Sequence, residues 1–139
     1  MKAAWLVALL LSHATTLAQA SEVQQVQTPF SPEIVKASLY KQQLKLGSKL
    51  LLICKATGYP LPQICWYKET ALFRPRPRAW LNSTVEVWRS SSERRRSMEF
   101  LKSRLEIDPA TLGDRGDYTC VASNSAGKAF RNFAVSFAR

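Results

Sequence analysis

Apolar side chains recur at every second position over several short runs of this chain. In KLLLICKATG (49–58), Leu50, Leu52 and Cys54 fall on one face of a strand, and turn residues end the run. In PQICWYKE (62–69), Ile64, Trp66 and Lys68 share one face, while Cys65 and Tyr67 share the other. In DYTCVAS (117–123), Tyr118, Cys120 and Ala122 align. Two more strands are expected near STVEVWR (83–89) and MEFLKSRLEI (98–107), joined by the polar loop SSSERRRS (90–97). The pattern is that of an all-β chain of one domain.

The start of the chain follows a different rule. Lys2 precedes the nine-residue apolar run AAWLVALLL (3–11), which is too short to span a bilayer, and Ala18 and Ala20 stand where a signal peptidase cuts. Residues 1–20 are expected to be a signal peptide, and the polar, proline-containing stretch 21–31 a flexible leader. The folded domain is expected over 32–139. No later run of the sequence is long and apolar enough for a membrane span, and the chain ends at Arg139 without a hydrophobic tail, so the expectation is a secreted, extracellular protein.

Two consequences follow for chemistry. The one histidine, His13, lies in the segment expected to be removed, so Ser-His-Asp and Cys-His catalysis and imidazole metal sites are not expected, and neither is a cofactor. The formal charge of +10 points to acidic partners such as sulfated glycans, or else only keeps a small protein dissolved. The expected activity is binding rather than catalysis, with no nucleic acid as partner.

The cysteines are Cys54, Cys65 and Cys120, an odd number for an oxidising compartment. If Trp66 is buried, parity turns Cys65 to the opposite side of its strand and leaves Cys54 and Cys120 as the inward pair; a β-bulge would reverse the assignment. Cys65 is then an exposed thiol bound for an intermolecular disulfide or a cap, or an inert thiol buried under a neighbouring loop.

Cys54, Trp66 and the string LEIDPATLGDRGDYTCVASNSAG together resemble an immunoglobulin domain of the I-set. Leu105 matches a core position. Asp114, Gly116, Tyr118 and Cys120 match the D-x-G-x-Y-x-C signature, and Asn124 with Gly127 matches the N-x-x-G turn. The resemblance implies a two-sheet Greek-key sandwich closed by a Cys54–Cys120 bridge, with Trp66, Leu105 and Tyr118 in its core. It also accounts for Arg115-Gly116-Asp117, a tripeptide otherwise suggestive of integrin binding, as a turn that runs into a paired strand. A weaker likeness is to the Ig domain of neuregulin-type secreted factors, which bind heparan sulfate, although their six-cysteine growth-factor module is absent from this sequence.

The family pattern leaves one stretch unexplained, an enlarged and basic C-to-E connection after Trp66. Residues 74–104 hold nine basic side chains against Glu86, Glu93 and Glu99, a net of +6. RPRPR (74–78) is expected to be extended and polyproline-like. Arg74, Arg76 and Arg78, together with Arg94, Arg95 and Arg96, are the candidate contacts for heparan sulfate, gathered on one edge of the sandwich; the bland reading is a solvated insertion. NST (82–84) makes Asn82 an N-glycosylation acceptor, expected in a loop, with Trp80 and Trp88 either forming a contact surface or packing beneath the insertion. The alternative to glycan binding is a protein contact, to a cell-surface or matrix protein or to a second copy, through the outward face around Cys65 and Tyr67.

Overall fold

The computed structural model describes residues 27–89 and 97–138, so Arg94, Arg95 and Arg96 lie outside the described residues. Nine strands run in chain order: β1 (Phe30–Ala37), β2 (Lys41–Leu44), β3 (Leu50–Tyr59), β4 (Gln63–Lys68), β5 (Ala71–Leu72), β6 (Ala79–Arg89), β7 (Ser97–Ile107), β8 (Gly116–Asn124) and β9 (Gly127–Phe137). They form a four-stranded sheet, β1-β3-β7-β6, and a five-stranded sheet, β2-β9-β8-β4-β5. Every pairing is antiparallel except β2 with β9. The first sheet begins at Phe30, two residues before the expected start of the domain.

Alternation decides what is inside. Leu50, Leu52, Cys54, Leu105 and Ile107 from one sheet meet Trp66, Tyr118, Cys120, Phe133 and Val135 from the other, all buried. Cys54 and Cys120 are bonded across the two sheets, 66 positions apart in sequence, as the parity of Trp66 requires. Trp66 is the ladder partner of Cys120 and packs against the ring of Phe133 at 5.7 Å. Its indole Nε1 donates to Ser103 Oγ at 2.9 Å, and Ser103 is the ladder partner of Cys54. The buried indole N–H is thereby satisfied by a side chain of the opposite sheet.

One end of the sandwich is tied to Asp114, whose side chain is only 5% exposed. Its Oδ2 accepts from Thr111 N at 2.7 Å and Thr111 Oγ1 at 3.1 Å, capping a single 3-10 turn over Leu112–Asp114. Its Oδ1 takes the guanidinium of Arg76. Its carbonyl accepts the Tyr118 hydroxyl at 2.7 Å. This last bond is the tyrosine corner of the sandwich, and burial beside the Asp114 carboxylate raises the Tyr118 pKa well above its ordinary value.

RPRPR departs from the extended expectation. It stays out of both sheets, but Ala79 N donates to Arg76 O, and Arg78 adopts a positive φ of 66° that turns the chain into β6. β6 therefore starts at Ala79 and runs for eleven residues. Asn82 accordingly sits in a strand, exposed, and not in a loop. The alternation of Ala79, Leu81, Ser83, Val85 and Val87 opposite β7 extends the ladder through the sequon.

The outer face of the four-stranded sheet carries three lysines in register, Lys36, Lys55 and Lys102. Such a row repels itself. Glu86 lies over it, 2.6 Å from Lys55 Nζ and 3.9 Å from Lys102 Nζ. Glu106, 6% exposed, sits between Lys49 at 2.9 Å and Arg104 at 2.8 Å. Hydrogen bonds from Lys55 and Lys49 hold the carboxyls of Glu86 and Glu106, respectively, below their ordinary values.

Two outcomes are expected. Arg76→Ala should lower stability by about 1–3 kcal/mol because it strips a charged partner from a buried carboxylate, whereas Arg74→Ala should cost less than about 0.5 kcal/mol. Urea titration of both variants checks this, and equal effects would contradict it. The depressed carboxyls stabilise the fold above the unfolded glutamate value of about 4.3, and that contribution is lost as pH falls through their folded values. Melting temperature should therefore drop on acidification through this range. Glu106→Gln should be less stable than the parent at neutral pH and indistinguishable from it once both folded values are passed.

Candidate binding surfaces

Two surfaces stand out once the ladders are aligned. The first is the outer face of the five-stranded sheet. Cys65 pairs with Val121, and Val121 with Phe130, so these three form one row across β4, β8 and β9. Next to it runs a second row: Leu72, Tyr67, Thr119 and Asn132. Phe130 is 68% exposed and Leu72 50% exposed. Cys65 is free and exposed, while Tyr67 and Val121 are half-buried. Thr119 Oγ1 donates to Asn132 Oδ1 at 2.9 Å, and Gln63, Ser123 and Lys128 form a polar margin. An apolar centre with a polar rim is the anatomy of a protein-binding patch.

Tyr67 and Cys65 were legible as outward residues from strand parity, but Val121 and Phe130 were not picked out. A signal for them exists. The N-x-x-G turn sets Asn124 opposite Gly127, and counting back three pairs sets Val121 opposite Phe130. Asn124 earns its place by more than the turn: its Oδ1 accepts from Ala126 N and Gly127 N, and its Nδ2 donates to Phe30 O and Pro60 O, each at 2.9 Å. One side chain thus pins the β8–β9 turn to the start of β1 and to the β3–β4 connection.

The second surface is the basic one. Arg74 and Arg78 lie at the end of the sandwich where β6 begins, and both are exposed. At that end Ala79 pairs with Ile107, and at the other Arg89 pairs with Ser97. Ten residue steps separate the two ends, about 33 Å of strand. Arg94, Arg95 and Arg96 lie outside the described residues, so only Arg74, Arg76 and Arg78 of the six are placed. Arg76 is also drawn into the Asp114 ion pair. Between the two ends, Trp80 and Trp88 share the outward face of β6, 44% and 53% exposed, and nothing among the described residues covers them. Trp88 meets Phe100 edge-on at 6.4 Å.

Arg115-Gly116-Asp117 is a strand entry and not a loop tip. Gly116 pairs with Val135 and Asp117 with Ala134. Gly116 has φ 138°, and a side chain there would collide with the Glu69 carboxylate, which accepts from Asp117 N at 3.2 Å. An open groove of about 630 Å³ lies beside it, lined by Leu46, Glu69, Leu112, Arg115 and Phe137. Glu69 is already engaged there, and the groove brings no set of reactive groups together. Among the described residues, no three histidine, cysteine, aspartate or glutamate side chains converge as a metal site, and no helix is long and apolar enough to cross a membrane.

Comparison with known proteins agrees with this geometry. The family model described as "Immunoglobulin I-set domain" matches residues 32–137. The chain is 39% identical over 124 residues to immunoglobulin domain-containing protein oig-4 of Caenorhabditis elegans, covering 86% of this chain and 74% of that protein. It is 33% identical over 107 residues to oig-1 of the same organism, covering 77% of this chain and 70% of that one. Among solved structures it resembles a chain of the complex of Dpr2 Ig1-Ig2 with DIP-Theta Ig1-Ig3, with a TM-score of 0.60 at 24% identity over 79% of this chain and 33% of that chain. The matched fold is one of binding modules and not of enzymes. The chain belongs to the immunoglobulin I-set family.

Proposed function

We propose that this protein is a secreted, extracellular binding module whose working surface is the outer face of the five-stranded sheet. The observation that carries this reading is the exposed row Cys65–Val121–Phe130 with Tyr67 and Leu72 beside it. A solvent-facing sheet surface alternates to polar residues unless something covers it. The partner that fits is a cell-surface or matrix protein offering an apolar patch with a polar rim. The signal-like residues 1–20 and the Cys54–Cys120 bridge support an oxidising, extracellular setting. Cys65, exposed within the patch, supplies a thiol for a disulfide to the partner or to a second copy, or carries a small-molecule cap.

Wild-type protein bound to intact cells and captured by cell-surface proximity labelling tests this reading. One protein should be enriched by the parent and by Lys36→Ala on the opposite sheet. The same protein should be lost with Phe130→Asp and with Tyr67→Asp, each weakening binding at least about tenfold. Equal capture by all four would remove the five-stranded sheet from the account.

A second contact, to heparan sulfate, is supported by the exposed arginines Arg74 and Arg78, which form no ion pair among the described residues. The two arginine groups fall before and after β6 in the sequence, so their contributions can be tested separately. Arg74→Ser with Arg78→Ser, and Arg94→Ser with Arg95→Ser and Arg96→Ser, should each lower the salt concentration needed to elute the protein from heparin. Combined, they should bring it down toward that of a neutral Ig domain. Unchanged elution of the combined variant would mean that the charge serves solubility only.

A further inference from the structure

Edge strands invite pairing with another chain, and three of the four sheet edges here carry a device that prevents it. β2 has four residues and β5 two, too short to template a partner. β1 contains Pro32 and Lys36, and its register is interrupted twice along its length. β6 has none of these features. It is the terminal strand of its sheet, and among the described residues nothing pairs with its outer edge. Its eleven residues match β7 pair for pair without a bulge, and it holds no proline. Four of its large apolar side chains are solvent-exposed: Trp80 at 44%, Val85 at 56%, Val87 at 58% and Trp88 at 53%.

The strand is also self-complementary. Two antiparallel copies related by a two-fold axis at Thr84 place Trp80 opposite Trp88, Leu81 opposite Val87, Ser83 opposite Val85 and Asn82 opposite Glu86. The aromatic pair falls on the outward face and the aliphatic pair on the inward face, with no like charges opposed. This fit requires a second copy of the same strand and therefore names the occupant. The one unusual feature of β6 is Asn82-Ser83-Thr84, a glycosylation sequon in the middle of the edge and two residues from that axis. Asn82 is exposed on the same face as Trp80 and Thr84.

We propose that an N-linked glycan on Asn82 guards this edge: the glycosylated chain stays unpaired at β6, and the bare chain dimerises β6 to β6. The glycan does here what proline, a bulge or brevity does at the other three edges. The two glycans of a dimer would crowd the centre of the seam, over the aromatic pairs that favour it. The proposal rests on the extracellular reading only for the delivery of the glycan.

The test uses the full chain secreted from animal cells, in a Cys65→Ser background so that no intermolecular disulfide contributes. Peptide mass spectrometry should find Asn82 occupied, and light scattering should give the mass of one glycosylated chain. Asn82→Gln and Thr84→Ala, which remove the sequon in two different ways, should each double the protein mass at micromolar concentration. Adding Val85→Lys and Val87→Lys, both at exposed positions, should return either variant to a monomer without changing its melting temperature. The proposal is overturned if Asn82 is bare in the secreted protein. It is equally overturned if the sequon variants stay monomeric, or if their dimer survives the two lysines. Failure of the extracellular reading would show differently, as absence of the protein from the medium.

Discussion

Everything in this molecule hangs on one cross-sheet contact. The Cys54–Cys120 bond joins the two inner faces, and Trp66, facing Cys120 in its ladder, fills the space beside it and reaches Ser103 next to Cys54. A covalent link over 66 positions removes on the order of 4 kcal/mol of chain entropy from the unfolded state in the loop-closure model. It also fixes which side of every strand is inside. Moving any of β3, β4, β7 or β8 by one residue would put charged or polar side chains into the core and leave the indole N–H without its partner. The outward faces are therefore as strictly specified as the core. That gives Cys65, Tyr67, Val121 and Phe130 their common direction without any contact among them being needed to set it.

The two ends of the sandwich are closed by polar nodes. Asp114 gathers Thr111, Arg76 and Tyr118, and Asn124 gathers Phe30, Pro60, Ala126 and Gly127. Each node joins a local turn to a segment distant in sequence, Arg76 in the first and Phe30 and Pro60 in the second. The cost of using Arg76 in this way is that it is not free for a ligand. The arginine-rich stretch thus has two roles: part of it stabilises the fold, and part, Arg74 and Arg78, is left facing solvent.

The sequence made the strands, the bridge and the core legible because period-2 alternation and cysteine parity are local signals. Trp66, Leu105 and Tyr118 are buried where the family resemblance put them, and Cys65 is exposed as parity with a buried Trp66 required. The ion pair of Arg76 with Asp114 was not legible, since it joins residues 38 positions apart through a turn whose geometry depends on Arg78. The length of β6 was misread for a related reason. Prolines and a sequon suggested a loop, whereas pairing with β7 held residues 79–82 in the sheet. The exposed row across β4, β8 and β9 needed the register of three strands, which only the turn at Asn124 supplies.

The direct measurement of the central claim is hydroxyl-radical footprinting of the protein free in solution and bound to cells. Oxidation of Tyr67 and Phe130 should fall on binding, while that of Trp80 and Trp88, on the other sheet, should stay as in the free protein. Protection of Trp80 and Trp88 with Tyr67 and Phe130 unchanged would place the working surface on the four-stranded sheet and contradict the account.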